Sequence, residues 1–377
     1  MKKTFVYELK RCLLPLVIFS AIAVVVSLIA VLGFSTRSAS SGEYRLYRLD
    51  NAGIDVFTVL LCILCTVVPV MQFSYRMGQR STDLWYSLPV SRRRLALVRV
   101  LVGLVMVFVP YTLAYLFGVL TIALRVTQES FVWYVPHFFL SLLLGAGLFG
   151  VNSFLFSRAN RVMDGILFIA AWACILPLFL ALVSGWADDT IFSYVAEGRT
   201  RSYKVWNACD SLFTYSPLAW TSAFFERLVV AKQPLNDGMC VNFALAVAVG
   251  VAEMAAAYTL LFVCADRDKS ENADQISSSW WGYKVLIPAY LALAVAVLRP
   301  DLLFGGVDWW MVLIWVVLLV LALVLYFAYR RSFRLKKRDV IALAASFAGG
   351  VLVALLTEVA AEAQACVMPV LAMLPVF

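Results

Sequence analysis

Charged residues are scarce in this sequence. Only 14% of its 377 residues are Asp, Glu, Lys or Arg, whereas 63% are hydrophobic. A water-soluble domain carries about 25% charged residues, because its surface has to stay hydrated. The composition therefore excludes a soluble globular protein and predicts that the chain has no soluble catalytic domain.

The residue patterns of several common chemistries are also missing. The single histidine, His137, excludes metal sites that need paired histidines. The sequence has no Gly-Lys dipeptide, so it has no Walker-type phosphate loop, and it has no Gly-x-Ser-x-Gly nucleophile elbow. We therefore predict that the chain is not an enzyme and holds no metal or cofactor of its own. Any energy that it uses has to come from a separate chain.

The net charge of +8 is not spread as a nucleic-acid binding surface. The basic residues instead form clusters between long apolar runs, which is the pattern of membrane topology signals. We therefore predict a membrane as the partner of these basic residues and no nucleic-acid partner.

Nine runs of the sequence are uncharged or nearly so and long enough to approach the thickness of a bilayer. Lipid offers no hydrogen-bond partners to the backbone, so each run is predicted to be a helix. The predicted fold is an all-α integral membrane protein with nine spans, or ten if the apolar tail 363–377 also crosses. That tail is alternatively a re-entrant or interfacial piece. The nine runs are 13–34, 56–75, 95–124, 133–156, 163–184, 241–265, 285–298, 309–329 and 340–357.

The distribution of Lys and Arg predicts the orientation. With the N-terminus in the cytoplasm, 21 of the 31 basic residues fall on the cytoplasmic side. They belong to the N-terminal segment and to every second connection, as the positive-inside rule requires. We therefore predict a cytoplasmic N-terminus and a multi-pass membrane protein.

The spans are unevenly grouped along the chain. Residues 1–265 hold six spans, 266–284 form a polar cytoplasmic link, and 285–377 hold three further spans and the tail. A long outer loop, 185–240, separates spans five and six. A connection of that length is usually functional or has structure of its own. Its apolar stretch around Tyr215, Ser216 and Pro217 predicts a re-entrant or interfacial helix at the outer mouth.

The same loop holds two cysteines. Cys209 and Cys240 both fall in the predicted outer segment. Disulfides form in oxidising compartments outside the cytoplasm. Pairing of the two residues and two free thiols both remain open.

The connection between the second and third spans is the most informative segment. Ser81 or Thr82 is placed to cap a short helix, and Asp83 falls in its favourable first turn. Pro89 ends that helix. The next helix starts near Arg92, the first of three consecutive arginines that hold it at the inner lipid surface.

The short helix carries a small apolar face of Leu84, Trp85 and Leu88. A helix that presents Trp and Leu at a cytoplasmic turn suits docking into a groove on a soluble partner. The alternative is a helix that lies on the lipid surface, with the arginines acting as topology signals. Composition alone does not choose between these two interpretations.

Residues 76–95 resemble the coupling segment of type-2 ABC exporter permeases. The core 83–92 reads DLWYSLPVSR, and a typical member of that family reads Asp-Leu-Tyr-x-Ser-Leu-Pro-Ile-Ser-Arg after an upstream Arg. Residues 215–218 (YSPL) resemble the outer region of the same family. Residues 267–273 (RDKSENA) resemble the Arg-Lys-Ser-Glu-x-Ala-Gly link of one bacterial branch, with Asp274 in place of the glycine.

The resemblance implies a permease subunit of a bacterial plasma (inner) membrane that pairs with a second permease and with separate ATP-binding cassette ATPases. ATP would be bound by those partners. The family's coupling segment would correspond here to Asp83, Leu84, Trp85, Leu88, Pro89 and Arg92. The segment Lys2–Arg11, with Phe5, Val6 and Leu9 on one face, would correspond to the family's amphipathic interfacial helix.

Glu253 is the one acidic residue predicted to lie deep within a span. A carboxylate is costly there, so it should face the bundle interior, water or a partner. Small residues at Ala246, Gly250 and Ala257 share its side of the helix and permit close helix contact. A structural hydrogen bond and a role on a substrate or ion path are the two interpretations.

The leading functional hypothesis is an exporter permease that moves an antibiotic, a peptide, a lipid or a similar substrate. An ion-coupled secondary transporter is the main alternative, with Glu253 as the coupling carboxylate. This alternative is less favoured, because secondary transporters often have Gly- or Pro-interrupted spans at matching positions in two halves of the chain, and the sequence shows no such pair. A non-transporting sensor or immunity protein is a third hypothesis. Only the first requires an ATPase partner.

Overall fold

The computed structural model describes the chain apart from residues 1, 34–36, 42–43, 49–51, 88–89, 126–133, 188–236, 267–270, 272, 276, 278, 298–308, 331 and 373–377. The described part is helical, as predicted for a membrane protein. Between the first two long helices lies an antiparallel pair of short strands, which the prediction of an all-α chain did not include. The strands are β1 (Arg37–Ser41) and β2 (Tyr44–Arg48), with Arg37 opposite Arg48 and Ser41 opposite Tyr44.

A helix stands at each of the nine predicted apolar runs. Two further helices, α1 and α4, precede the first and third runs. The helices are α1 (Lys2–Arg11), α2 (Leu13–Gly33), α3 (Ala52–Phe73), α4 (Gln79–Tyr86), α5 (Arg92–Arg125), α6 (Tyr134–Ser157), α7 (Val162–Ala187), α8 (Asp237–Ala265), α9 (Tyr283–Val297), α10 (Trp309–Arg330) and α11 (Lys337–Ala372). The predicted helices are confirmed at these positions, with boundaries shifted by a few residues.

Six helices of the described residues contain a segment long and apolar enough to cross a bilayer. They are α2, α3, α5, α6, α10 and α11. Shorter apolar segments lie in α7, α8 and α9. These six helices correspond to the first four and the last two predicted spans. The total of nine membrane spans stays a prediction.

The C-terminal tail does not begin a separate helix. Helix α11 continues without a break for 36 residues, from Lys337 to Ala372. The first ten residues of the predicted tail, 363–372, therefore extend the last span instead of forming an independent tenth element.

The chain divides into two compact units. Unit 1 comprises Met1–Ile169 and Thr214–Gln275, and unit 2 comprises Ala170–Phe213 and Ile276–Phe377. The division differs from the grouping 1–265, 266–284 and 285–377 because most of α7 belongs with the C-terminal helices. Trp172 Nε1 donates to the carbonyl of Trp281 at 2.9 Å, and Tyr290 Oη donates to the carbonyl of Ala171 at 2.5 Å. Both hydrogen bonds lie within unit 2.

Unit 1 is built around α5, which contacts α1, α2, α3, α6 and α8. Helix α2 shows how the apolar sequence is used. Its buried residues, Ala23, Ser27 and Val31, follow one another at four-residue spacing and form one face. Exposed apolar side chains such as Ile22 and Ile29 lie on the rest of its surface. An exposed apolar surface of this kind suits contact with lipid.

The core of unit 2 lies between α9, α10 and α11. Its buried side chains are Ile287, Leu291, Val295, Trp315, Ala322, Tyr326 and Leu343. Helices α9 and α11 approach closely at Gly350. A Cβ at that position would lie 2.7 Å from the carbonyl oxygen of Ala292. Glycine at this contact therefore allows the two backbones to meet.

Candidate functional site

The short helix α4 and its surroundings form the candidate site. A 3₁₀ turn, Ser74–Arg76, leads out of α3, and α4 follows after Met77 and Gly78. The helix begins at Gln79, a few residues before the caps that the sequence suggested. The Ser81 hydroxyl instead donates to the carbonyl of Tyr75 at 2.6 Å, and the Thr82 hydroxyl donates to the carbonyl of Gly78 at 2.7 Å. The first bond ties α4 to the 3₁₀ turn, and the second lies within the first turn of α4 itself.

Trp85 is a buried residue of α4, with 8% of its surface exposed. Its ring meets the Tyr75 ring edge-on, with 5.9 Å between the centroids. The guanidinium of Arg99 lies 4.4 Å from the Trp85 ring centroid and 4.6 Å from that of Tyr75. The Arg11 guanidinium lies 5.4 Å from the Trp85 ring. Such cation–π contacts are strongest when the cation is desolvated.

Arg99 and Glu8 form a buried ion pair beside these rings. Arg99 Nη2 lies 3.2 Å from Glu8 Oε1, and the two side chains are 4% and 0% exposed. The groups are close without being aligned for a hydrogen bond. Removing either partner from such a pair leaves an uncompensated buried charge. The pair therefore fixes α1 against α5, with α4 held between them by Trp85.

We call Glu8, Tyr75, Trp85 and Arg99 the clamp. Sequence reasoning missed it. The interpretation of α1 as amphipathic concentrated on Phe5, Val6 and Leu9 and overlooked Glu8, the only acidic residue of that helix. A signal was present, because Arg99 is a charged residue inside an otherwise apolar run. That pattern calls for a carboxylate partner, which the structure identifies as Glu8.

The exposed face of α4 differs from the predicted one. It consists of Arg80, Asp83, Leu84 and Ser87, at the spacing of one helical face. Leu84 is 66% exposed and is the apolar member of this face. Trp85 is buried and lies about 100° around the helix axis from Leu84, so the two side chains do not share one exposed face. The role of this helix in docking stays a prediction. Leu88 and Pro89 lie outside the described residues.

Two of the arginines that follow α4 contact other parts of unit 1. The Arg92 guanidinium lies 4.5 Å from the ring centroid of Tyr86, the last residue of α4. Arg93 forms an ion pair with Asp266, just after α8, with 2.5 Å between Nε and Oδ2. Both side chains of that pair are solvent-exposed, so its contribution is about 1 kcal/mol or less.

The segment after α8 packs on the turn between α6 and α7. The Asp274 amide donates to the carbonyl of Asn160 at 3.0 Å. Arg161 donates to the carbonyl of Asp274 from Nε and Nη2, at 2.8 and 2.7 Å. Asp274 has a φ of +62°, in the left-handed region that favours glycine. The resemblance to exporter permeases places a glycine at this same position.

No family model matches the chain, and no curated protein or solved structure matches it either. The function is therefore inferred from the residues of the clamp and of the exposed face of α4.

Glu253 lies on α8 and is exposed. Helix α8 packs on α6 through Tyr258, whose hydroxyl donates to the carbonyl of Ala146 at 2.8 Å. Gly250 and Ala257 are buried, whereas Glu253, at three- and four-residue spacing from them, is exposed. The sequence predicts that this carboxylate faces the bundle interior, water or a partner. Within the described residues its side chain does not lie in the interior of the helices. The side chain of Ala246 lies outside the described residues.

Substituting Glu253 by glutamine is expected to leave thermal stability, and any transport that the chain supports, within experimental error of the wild type. The reason is that the exposed carboxylate can be replaced by an amide of the same shape without disturbing the packing of α8. An ion-coupled transporter that used this carboxylate would instead lose activity. Transport measurements with the purified, reconstituted variant separate the two outcomes.

Two predicted features belong to the long outer loop: the apolar stretch around Tyr215 and the cysteine pair. Tyr215, Ser216 and Pro217 lie outside the described residues. Cys209 also lies outside them, as does the side chain of Cys240. Pairing of these two cysteines stays open.

Proposed function

We propose that this chain is the membrane-spanning permease subunit of an ATP-binding cassette exporter in a bacterial plasma membrane. It would act with a second permease and with separate ATPase subunits that bind and hydrolyse ATP. The observation that carries the proposal is helix α4, which is fixed to its own chain on one face and exposed on the other.

The exposed face of α4 suits contact with a soluble partner. Arg80 and Asp83 can form polar contacts at the rim of an interface, and Leu84 can enter an apolar groove. A helix that only lay on lipid would be expected to turn its largest apolar residue, Trp85, toward the bilayer. Trp85 is instead buried inside the chain.

The clamp gives the exposed face a mechanical connection to the spans. Trp85 of α4 packs on Arg99 of α5, and Arg99 is paired with Glu8 of α1. Close-packed elements of this kind move together instead of deforming continuously. A displacement of α4 by an ATPase would therefore shift the start of α5 and the amphipathic helix α1 together.

The link after α8 supports the same proposal independently. The exporter-like motif has a glycine where this chain has Asp274, and the backbone there adopts a conformation that glycine adopts freely. The φ of +62° at Asp274 is thus compatible with the glycine of the exporter-like motif.

The proposal predicts that an ATP-binding cassette ATPase is encoded beside this chain, and it is tested by reconstituting the two proteins together. The two proteins are expected to co-purify in detergent, and incorporation into proteoliposomes should stimulate ATP hydrolysis and ATP-dependent substrate movement. Absence of a stable complex and of any effect on hydrolysis would contradict the proposal.

Its topology can be checked separately at the two ends of α3. Cysteine is placed at Ser41, in the hairpin, or at Ser87, beside α4, in a protein without native cysteines. An impermeant maleimide is expected to label Ser41→Cys in intact cells, and Ser87→Cys only after the membrane is opened. Equal labelling at both sites in intact cells would contradict the orientation, because one span separates them.

A further inference from the structure

Residues 332–338, the turn after α10 together with the first two residues of α11, combine exposed cations with an exposed aromatic ring. Arg334, Lys336, Lys337 and Arg338 are all exposed. Phe333, in the middle of the turn, is 90% exposed. The segments Val312–Arg330 and Lys337–Leu356 on either side are apolar enough to cross a bilayer. The turn therefore belongs where the hydrocarbon core gives way to lipid headgroups.

The one acidic residue among positions 330–339 does not neutralise these cations. Arg330 Nη2 lies 2.7 Å from Asp339 Oδ1, and Asp339 Oδ2 accepts a hydrogen bond of 3.3 Å from the Lys336 amide. Asp339 is buried. Its charge is therefore directed at Arg330 and the backbone of the turn, while the four exposed cations face outward.

Phe333 distinguishes this surface from an ordinary basic turn. Its ring contacts Phe327 of α10 at a centroid distance of 5.6 Å and is otherwise exposed. An isolated aromatic ring is unfavourable in water and favourable at the boundary between headgroups and acyl chains. Its position among cations suits a ligand with an anionic head and an apolar tail.

We propose that the turn 332–338 is a binding surface for anionic phospholipids. The cations would bind the phosphate-containing headgroup, and Phe333 would insert beside the acyl chains. Basic residues near a membrane surface attract anionic lipids in this way. An acidic protein would engage the cations but would give Phe333 no apolar phase to enter. The proposal does not depend on the transport function.

The test uses the full-length protein in detergent micelles containing equal amounts of phosphatidylglycerol and phosphatidylcholine. Native mass spectrometry gives the ratio of the two lipids retained. The variant Lys336→Gln/Lys337→Gln/Arg338→Gln is expected to lower the phosphatidylglycerol preference by about tenfold or more, since each basic residue contributes about 1 kcal/mol. Phe333→Ser is expected to lower retention of both lipids, because the apolar contact is shared.

A matched control removes the same number of cations elsewhere. Arg37→Gln/Arg45→Gln/Arg48→Gln changes the hairpin and should leave the lipid ratio close to that of the wild type. An unchanged ratio in the turn variant, or an equal loss in the hairpin variant, would overturn the proposal. Thermal unfolding of each variant confirms that the protein is folded, and Arg334→Gln provides a milder substitution at the same surface.

Discussion

Replacing Glu8 by glutamine is expected to lower the free energy of unfolding by about 3–5 kcal/mol. The substitution preserves the shape of the side chain but leaves the Arg99 guanidinium buried without a countercharge. The rings of Tyr75 and Trp85 offset only part of that cost, since a desolvated cation–π contact contributes about 2 kcal/mol. Thermal or chemical unfolding in detergent measures the change.

A double substitution separates the ion pair from simple packing. In Glu8→Gln/Arg99→Met both charges are absent, and the flexible methionine can occupy the space of the arginine stem. The double variant is expected to be more stable than Glu8→Gln alone. Glu271→Gln removes an exposed carboxylate and serves as the control, with a change within about 0.5 kcal/mol. Equal destabilisation of the single and double variants would contradict an electrostatic role for the pair.

Replacing Leu84 by aspartate is expected to reduce association with the ATPase more than tenfold. An exposed leucine that fills a partner groove is worth more than about 1–2 kcal/mol, and a buried carboxylate in its place adds a desolvation cost. Folding and membrane insertion should be unaffected, because Leu84 lies on the exposed face of α4. Co-purification and permease-stimulated ATP hydrolysis measure the effect.

The matched control is Gln79→Asp. It places the same charge on the same exposed helix, about 140° around the axis from Leu84. Association should be retained, and an equal loss would show that charge alone is responsible. Wild-type association of Leu84→Asp would remove the main support for the proposed coupling role.

Trp85→Ala tests a different property of the same helix. Since Trp85 lies inside the clamp, its removal should destabilise the chain and weaken coupling indirectly. Loss of coupling should therefore be accompanied by a lower unfolding temperature in this variant. In Leu84→Asp, by contrast, coupling should be lost without a change in stability.

The helices were predictable from the sequence because lipid imposes one rule on the backbone. Every amide and carbonyl within the hydrocarbon must be satisfied locally, so a long apolar run becomes a helix. Helix α2 illustrates this, since its boundaries differ from the predicted run by one residue. The rule says little about connections outside the hydrocarbon, and the hairpin between α2 and α3 was not predicted.

The candidate site was predictable only in its position along the chain. The rotation of α4 depends on Glu8 and Arg99, which are distant in sequence from Trp85 and from each other. A helix of two turns has too few residues for its periodicity to distinguish a docking face from a packed face. The sequence therefore identified the helix and its motif, whereas the buried ion pair decided which side of it faces outward.

The length of α11 determines how far its last residue, Ala372, lies from the bilayer. A helix of 36 residues is about 54 Å long, whereas the hydrocarbon core is about 30 Å thick. A core of that thickness takes up about 20 residues of the helix, so about 24 Å of α11 lies outside it. The last helix thus acts as a rigid spacer, and a reporter protein fused after Ala372 would be held clear of the lipid surface.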